Sequence, residues 1–289
     1  MGIFSDILLT VDYDRTLTAP DSTIPQRNLD AIRYFMENGG TFTVNTGRSV
    51  PMASGMLIPN VPVNAPLLLY NGSADYDKET RQLTRYVPID LDYARVVAAI
   101  QARYPQLHVE IQALDAHYLI RPDTGWENYC SHNGCAWRYT TPENIPQPFI
   151  KFSLYGQFRE NTVAHMYSGT PEELALIEEA VGYVQENWGE KLEVLRACPR
   201  IIDFHAKGVS KLNSARLLQE KLNKKILVCV GDAENDVQML DGADYAYCPA
   251  DGIVADRYEN VCKCADGAIA DVIYKKIPDF LENGLTVSE

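Results

Sequence analysis

The chain has 289 residues with a formal net charge of −13, and 46% of its residues are hydrophobic. That is enough apolar material for one large domain or two ordinary ones. The acidic balance disfavours nucleic acid or an anionic membrane surface as a partner, while a few local cations suffice to hold one small anion. The seven cysteines form no C-x-x-C pair, and Cys248, Cys262 and Cys264 lack the histidine pair that would make them a metal site. The first residues, Met-Gly-Ile-Phe-Ser-Asp, lack a basic leader and no apolar run approaches ~20 residues, so the expectation is a cytoplasmic protein with free thiols.

Ile7 to Val11 is a short apolar run that predicts a buried strand, followed at once by Asp12, Asp14 and Thr16. If the strand continues that far, the two aspartates share a face, where their repulsion calls for a cation such as magnesium or a shared proton. The alternative is a loop in which they cap turns. A helix follows, with Leu29, Ile32 and Phe35 on one face and Asn38-Gly39-Gly40 at its end. Strands over Thr41–Val44 and Leu67–Tyr70 run into Thr46-Gly47-Arg48 and Asn71-Gly72. This alternation predicts crossover units around a parallel sheet.

From residue 74 the pattern changes to a hairpin, a helix bearing Tyr93, Val97 and Ile100, short alternating strands, a short helix near Trp126, and a long helix with Ile177, Val181 and Val184. Strands near Leu192–Leu195 and Ile201–Phe204 close the region, which is expected to be an α+β module. From Lys207 the α/β pattern returns: a helix carrying Leu212, Ala215 and Leu218, then the apolar strand Ile226–Val230 breaking into Gly-Asp-Ala-Glu-Asn-Asp at 231–236. The expected organisation is a discontinuous α/β core, 1–73 and 206–289, carrying an inserted α+β module, 74–205.

Four polar clusters therefore fall at strand or helix ends: Asp12/Asp14, Thr46, Lys211, and Asp232 to Asp236. Together they suit a phosphoryl group, which needs a nucleophile, cations and hydrogen-bond donors. Singly, Thr46-Gly47-Arg48 reads as a turn and Lys211 as a solvated lysine.

In that order, DYDRTLT, TGR, KGVSK and GDAEND resemble the four signature motifs of the haloacid dehalogenase superfamily. The insertion resembles the large α+β cap of its Cof-type sugar-phosphate phosphatase branch. The resemblance implies an α/β, Rossmann-like core with an inserted cap, and a magnesium-dependent phosphatase acting on a small phosphorylated metabolite, as a monomer or weak homodimer. It implies Asp12 as nucleophile, forming an aspartyl-phosphate, and Asp14 as general acid and then base. Thr46, Gly47 and Lys211 would bind the phosphoryl oxygens, with Arg48 and Asn235 beside the substrate. Asp12, Asp14 (through its carbonyl), Asp232 and Asp236 would hold Mg2+, Asp236 directly or through water.

Two departures stand out. Arg15 replaces the usual glycine and is expected to point outward, and Pro249-Ala250-Asp251 replaces an Asn-Ala step. Trp126, Tyr129, Trp137 and Tyr139 are expected in the core rather than against substrate. His117, His132 and His205 are expected as packing or surface residues. The competing functions are a phosphomutase using the same intermediate, a module that signals through a phosphorylated Asp12, and a non-catalytic phosphate binder.

Overall fold

The structure, a computed structural model, describes residues 2–158 and 168–284. At its centre lies a five-stranded, all-parallel sheet in the order Glu259–Val261, Tyr245–Pro249, Ile226–Val230, Ile7–Val11, Thr41–Val44. Strands from both ends of the chain lie side by side, Ile7–Val11 pairing with Ile226–Val230. Alternation along each strand sorts side chains between two faces. Leu9, Val11, Phe42, Val44, Val228 and Val230 pack with Ile32 and Phe35 of the helix Gln26–Glu37 and with Ile269, Ile273 and Ile277 near the C-terminal end. Leu8, Leu227 and Cys229 face the other way, onto Ala215 and Leu218 of the helix Lys211–Lys221. Both faces are covered, which explains why the central strands Ile7–Val11 and Ile226–Val230 are almost wholly apolar.

Past Thr41–Val44 the sheet is prolonged by a single parallel bridge from Asn45 to Leu68. The strand Leu67–Leu69 then pairs antiparallel with the hairpin Ala74–Asp77 and Gln82–Tyr86. The connection is unusual: Tyr70, Asn71 and Gly72 all have positive φ, at 51°, 54° and 93°. The predicted strand therefore stops at Leu69, one residue short. This left-handed corner turns Asn71 toward the end of the parallel sheet.

The second large sheet has six strands in the order Leu192–Cys198, Ile201–Ala206, Phe149–Gly156, Leu107–Ala113, His117–Leu119, Trp137–Tyr139. All pairs are antiparallel except the last. One face carries Val109, Ile111, Phe152, Leu154, Ile202 and Phe204, covered by Val97 and Ile100 of the helix Tyr93–Arg103 and by Ile177, Val181 and Val184 of the helix Pro171–Trp188. The longer helix begins in a capping box, with the Thr170 hydroxyl accepting from Glu173 N–H at 3.2 Å and the Glu173 carboxylate accepting from Thr170 N–H at 3.0 Å. The opposite face carries Glu110, Gln112, Lys151, Ser153, Asp203 and His205. These polar residues are all buried, because that face is turned toward the C-terminal ends of the parallel strands. A buried polar face needs partners or a ligand.

At Gly72 a side chain would be strained by the positive φ, and its Cβ would lie 2.5 Å from both the Ser210 carbonyl oxygen and the Ser214 hydroxyl. Gly72→Ala should therefore lower the unfolding free energy by about 2–4 kcal/mol, combining left-handed strain with overpacking. Equilibrium urea unfolding measures this, and a loss within ~0.5 kcal/mol would show that the corner relaxes freely.

Candidate active site

Asp12 follows the central strand immediately, with its N–H bonded to the Val230 carbonyl at 2.9 Å. The strand ends at Val11 and the chain turns, so Asp12 and Asp14 do not share a strand face. Asp12 is buried at the floor of the site, whereas the Asp14 side chain is 45% exposed at its rim.

Lys211 opens the helix Lys211–Lys221, behind the Ser210 cap that accepts from Asn213 N–H at 3.1 Å. That start aims the lysine inward. Its Nζ donates to Asp12 Oδ1 and to Asp236 Oδ1, both at 2.6 Å, and the side chain is fully buried. The solvated-lysine alternative is thereby excluded. Burial works against its charge, but Asp12 and Asp236 outweigh burial and hold the ammonium above its ordinary pKa.

After the strand Ile226–Val230, Gly231 lets the chain pass so close to Asp236 that a Cβ would lie 2.5 Å from that carboxyl carbon. The other oxygen of Asp236 accepts from the amides of Asp232 and Ala233 at 3.0 and 3.2 Å. Asp236 is thus occupied by a lysine and two amides and shapes the loop. Asp232 accepts from Thr16 Oγ1 at 3.0 Å and otherwise opens toward the cavity. Burial, reinforced by Asp236, pushes Asp232 up to about 7; burial also raises Asp12 well above the usual carboxylate range, against the pull of Lys211.

Carboxylate oxygens of Asp12, Asp232 and Asp236 lie within 4.8 Å of one another. One lysine cannot balance three carboxylates in a buried site, and the donor set is purely oxygen. Both observations fit a small, hard divalent cation.

Thr46 and Gly47 lie where the strand Thr41–Val44 runs out. The Thr46 N–H is bound to the Leu68 carbonyl at 2.9 Å, and its hydroxyl accepts from the Arg48 N–H at 3.2 Å. Arg48 is buried, lies over the Tyr13 ring at 4.9 Å, and forks onto both oxygens of Asp14 at 2.8 Å. Arg15 has φ of 59°, the conformation a glycine adopts at no cost, and it lines the cavity near enough to Asp232 to favour that carboxylate. It does not point away from the site, contrary to expectation.

Asp12, Asp14, Arg15, Thr46, Gly47, Arg48 and Asp232 share one cavity of about 310 Å³ with Asn235 and with the polar face of the second sheet, whereas Lys211 and Asp236 are buried beside Asp12 and do not line it. Sequence reasoning missed Gln112, Lys151, Ser153 and Asp203. Lys151 Nζ donates to Asp203 at 2.9 Å and to the Gly47 carbonyl at 3.1 Å, and Ser153 donates to Asp203 at 2.7 Å. The available signal was alternation: in Ile150 to Leu154 the polar residues fall on every second position of a strand whose other positions are core. Trp126 is core, stacked on Tyr155 and Phe158, yet it also walls the cavity together with Tyr129, so the core-only expectation is corrected for both. Trp137 and Tyr139 lie away from the cavity and pack edge to face, but on the surface: Tyr139 is 51% exposed and Trp137 half-buried, so neither is the core residue expected. His117 and His205 are buried and hydrogen-bonded, and His132 is exposed at the cavity wall.

Among the described residues, three buried polar atoms in this cavity wall have no hydrogen-bond partner: Arg48 Nη1, Asn71 Oδ1 and Gln112 Oε1. Orphaned donors and acceptors grouped on one wall are what a polar ligand would satisfy.

A family model described as haloacid dehalogenase-like hydrolase matches residues 9–270. A 5-amino-6-(5-phospho-D-ribitylamino)uracil phosphatase of Bacillus subtilis is 23% identical over 242 residues, covering 82% of this chain and 80% of that protein. A haloacid dehalogenase-like hydrolase from Bacteroides thetaiotaomicron has the same fold, with a TM-score of 0.74 at 18% identity, covering 93% of this chain and 98% of its own. A subclass IIB sugar phosphatase aligns at a TM-score of 0.71 and 16% identity, covering 96% and 99%.

Lys211→Met would leave Asp12 and Asp236 buried without their cation. It should cost about 3–5 kcal/mol of stability at neutral pH, as for other broken buried pairs, and less in acid, where the carboxylates are protonated. Thermal unfolding at two pH values measures this; an unchanged melting temperature at neutral pH would mean that the lysine is not holding the site together.

Proposed function

Because the chain belongs to the haloacid dehalogenase-like hydrolases and is a phosphomonoesterase, we propose that it is a magnesium-dependent phosphatase working through an aspartyl-phosphate on Asp12, with a sugar phosphate as substrate. The observation that carries this reading is Asp12 itself: a buried carboxylate on the floor of a polar cavity, paired with Lys211 and next to Asp232.

An Asp12 oxygen attacks phosphorus as the bond from phosphorus to the ester oxygen breaks. The leaving oxygen takes a proton from the Asp14 carboxyl. Water then attacks the aspartyl-phosphate, its proton passes to Asp14, and inorganic phosphate leaves with Asp12 restored. Lys211, Thr46 and the Gly47 amide hold the phosphoryl oxygens. The incoming phosphate competes with Asp14 for Arg48, so the guanidinium passes to the substrate as the Asp14 carboxyl turns to the leaving group. Mg2+, held by Asp12, Asp232 and the Asp14 carbonyl, with Asp236 supporting them, would neutralise charge on the transferred group.

Residues 74–205 act in this proposal as a cap that closes the cavity and reads the leaving group. Gln112, Asn71 and Asn235 meet its hydroxyls, and Trp126 and Tyr129 form the apolar wall. The partner is a small phosphorylated metabolite of the cytoplasm, met by a monomer or weak homodimer. A phosphomutase would use the same Asp12 chemistry, and is told apart by isomerisation of a sugar phosphate exceeding phosphate release.

Phosphate release should be measured with p-nitrophenyl phosphate and a panel of sugar phosphates. Turnover should require magnesium, disappear with EDTA, and fall at least ~10³-fold in Asp12→Asn, as expected when a nucleophile is removed. Folded, magnesium-loaded protein that releases no phosphate from any ester would overturn the proposal.

A further inference from the structure

A chain of buried hydrogen bonds runs from the second sheet into the loop that carries Arg48, and the mechanism above does not use it. Glu110 Oε1 receives Trp126 Nε1–H at 2.6 Å and lies 2.6 Å from His117 Nδ1, while Gln112 donates to the other oxygen of Glu110 at 2.9 Å. The remaining nitrogen of His117, Nε2, is 2.6 Å from the hydroxyl of Ser49, the residue directly after Arg48. Ser49 Oγ also caps the helix Val50–Gly55 by accepting the Met52 N–H at 3.2 Å. Glu110, His117 and Ser49 are each 0% exposed.

Serine, histidine and carboxylate in this order have the layout of a nucleophilic triad, but Ser49 is sealed off and takes no part in the cavity wall. Cys130 and Cys135 lie close enough to His117 to suggest a metal centre, yet both ring nitrogens are already committed to Glu110 and Ser49. Nor is the chain simple packing. Breaking it would strand a buried carboxylate, and it crosses between two sheets at the one segment that holds Arg48.

We propose that Glu110 and His117 form a positioning device. They grip Ser49 so that Arg48 is held where it can serve Asp14 and the substrate phosphate in turn. Lys151 grips the same segment from the same sheet, through the Gly47 carbonyl at 3.1 Å. Two cations of the second sheet thus hold the segment on either side of Arg48. Burial disfavours charge on His117, but Glu110 outweighs it and raises the imidazole to about 9, so the grip is cationic at neutral pH. The inference rests on Asp14 being the general acid, which supplies its test. A misplaced acid matters little for p-nitrophenolate, a good leaving group, and much for a sugar alkoxide.

The experiment compares kcat on p-nitrophenyl phosphate with kcat on the best sugar phosphate, for wild type, Ser49→Ala, Ser49→Thr and Asp14→Asn, alongside melting temperatures. Ser49→Ala should lose ~10-fold or more on the sugar phosphate, the order expected for a misplaced catalytic group, and much less on the aryl ester. Ser49→Thr, which keeps the hydroxyl, should restore most of this. Equal losses on both esters, or none, would overturn the positioning role. If Asp14→Asn itself shows no leaving-group dependence, the acid assignment has failed and the positioning role falls with it. A Ser49→Ala protein that does not fold is replaced by Glu110→Gln, judged by the same ratio.

Discussion

Everything in the site depends on Lys211 being buried between Asp12 and Asp236. A buried ion pair adds little net stability, because desolvating the charges costs about as much as their attraction returns. What the lysine secures is geometry. It joins the end of the central strand, the first turn of the helix Lys211–Lys221 and the loop after Ile226–Val230 at one point. With one lysine against three carboxylates, burial and mutual repulsion hold Asp12 and Asp232 above the usual carboxylate range, a penalty that uptake of a cation would relieve.

The second sheet makes the complementary contribution. Its alternating strands separate an apolar face, buried under two helices, from a polar face turned to the cavity. The polar face supplies Lys151, Asp203, Gln112 and His117 without any of them lying on a flexible loop. Their hydrogen bonds to Gly47, Asn71 and Ser49 tie the two sheets together around the segment that carries Thr46 and Arg48. Cavity wall and loop anchoring therefore share one surface, and a substitution that reshapes this wall also disturbs the contacts of the segment carrying Arg48.

Much of this was legible in the sequence. The apolar strands Ile7–Val11 and Ile226–Val230 announced a parallel sheet, and the polar residues that follow them announced the site, because ligands gather at the carboxyl ends of such strands. Lys211 was harder. A lysine at a helix start is ordinarily solvated, and only its position in the order of motifs argued otherwise. Arg15 lines the cavity within electrostatic reach of Asp232, a long-range placement that a local pattern does not record. The role of Trp126 was only half visible, since a ring can fill a core and wall a cavity at once.

The sequence by itself determined the fold class, the order of the elements and the residue types that stand at the ends of the central strands, all of which follow from local periodicity and from residues placed at element ends. Only the tertiary structure decided which groups meet. The fork of Arg48 on Asp14 spans 34 residues, the Lys211 bridge to Asp12 spans 199, and the His117 contact with Ser49 spans 68. No local pattern encodes such pairings. They come from the register of the sheets and the left-handed corner at Tyr70–Gly72, which bring the two polar surfaces face to face.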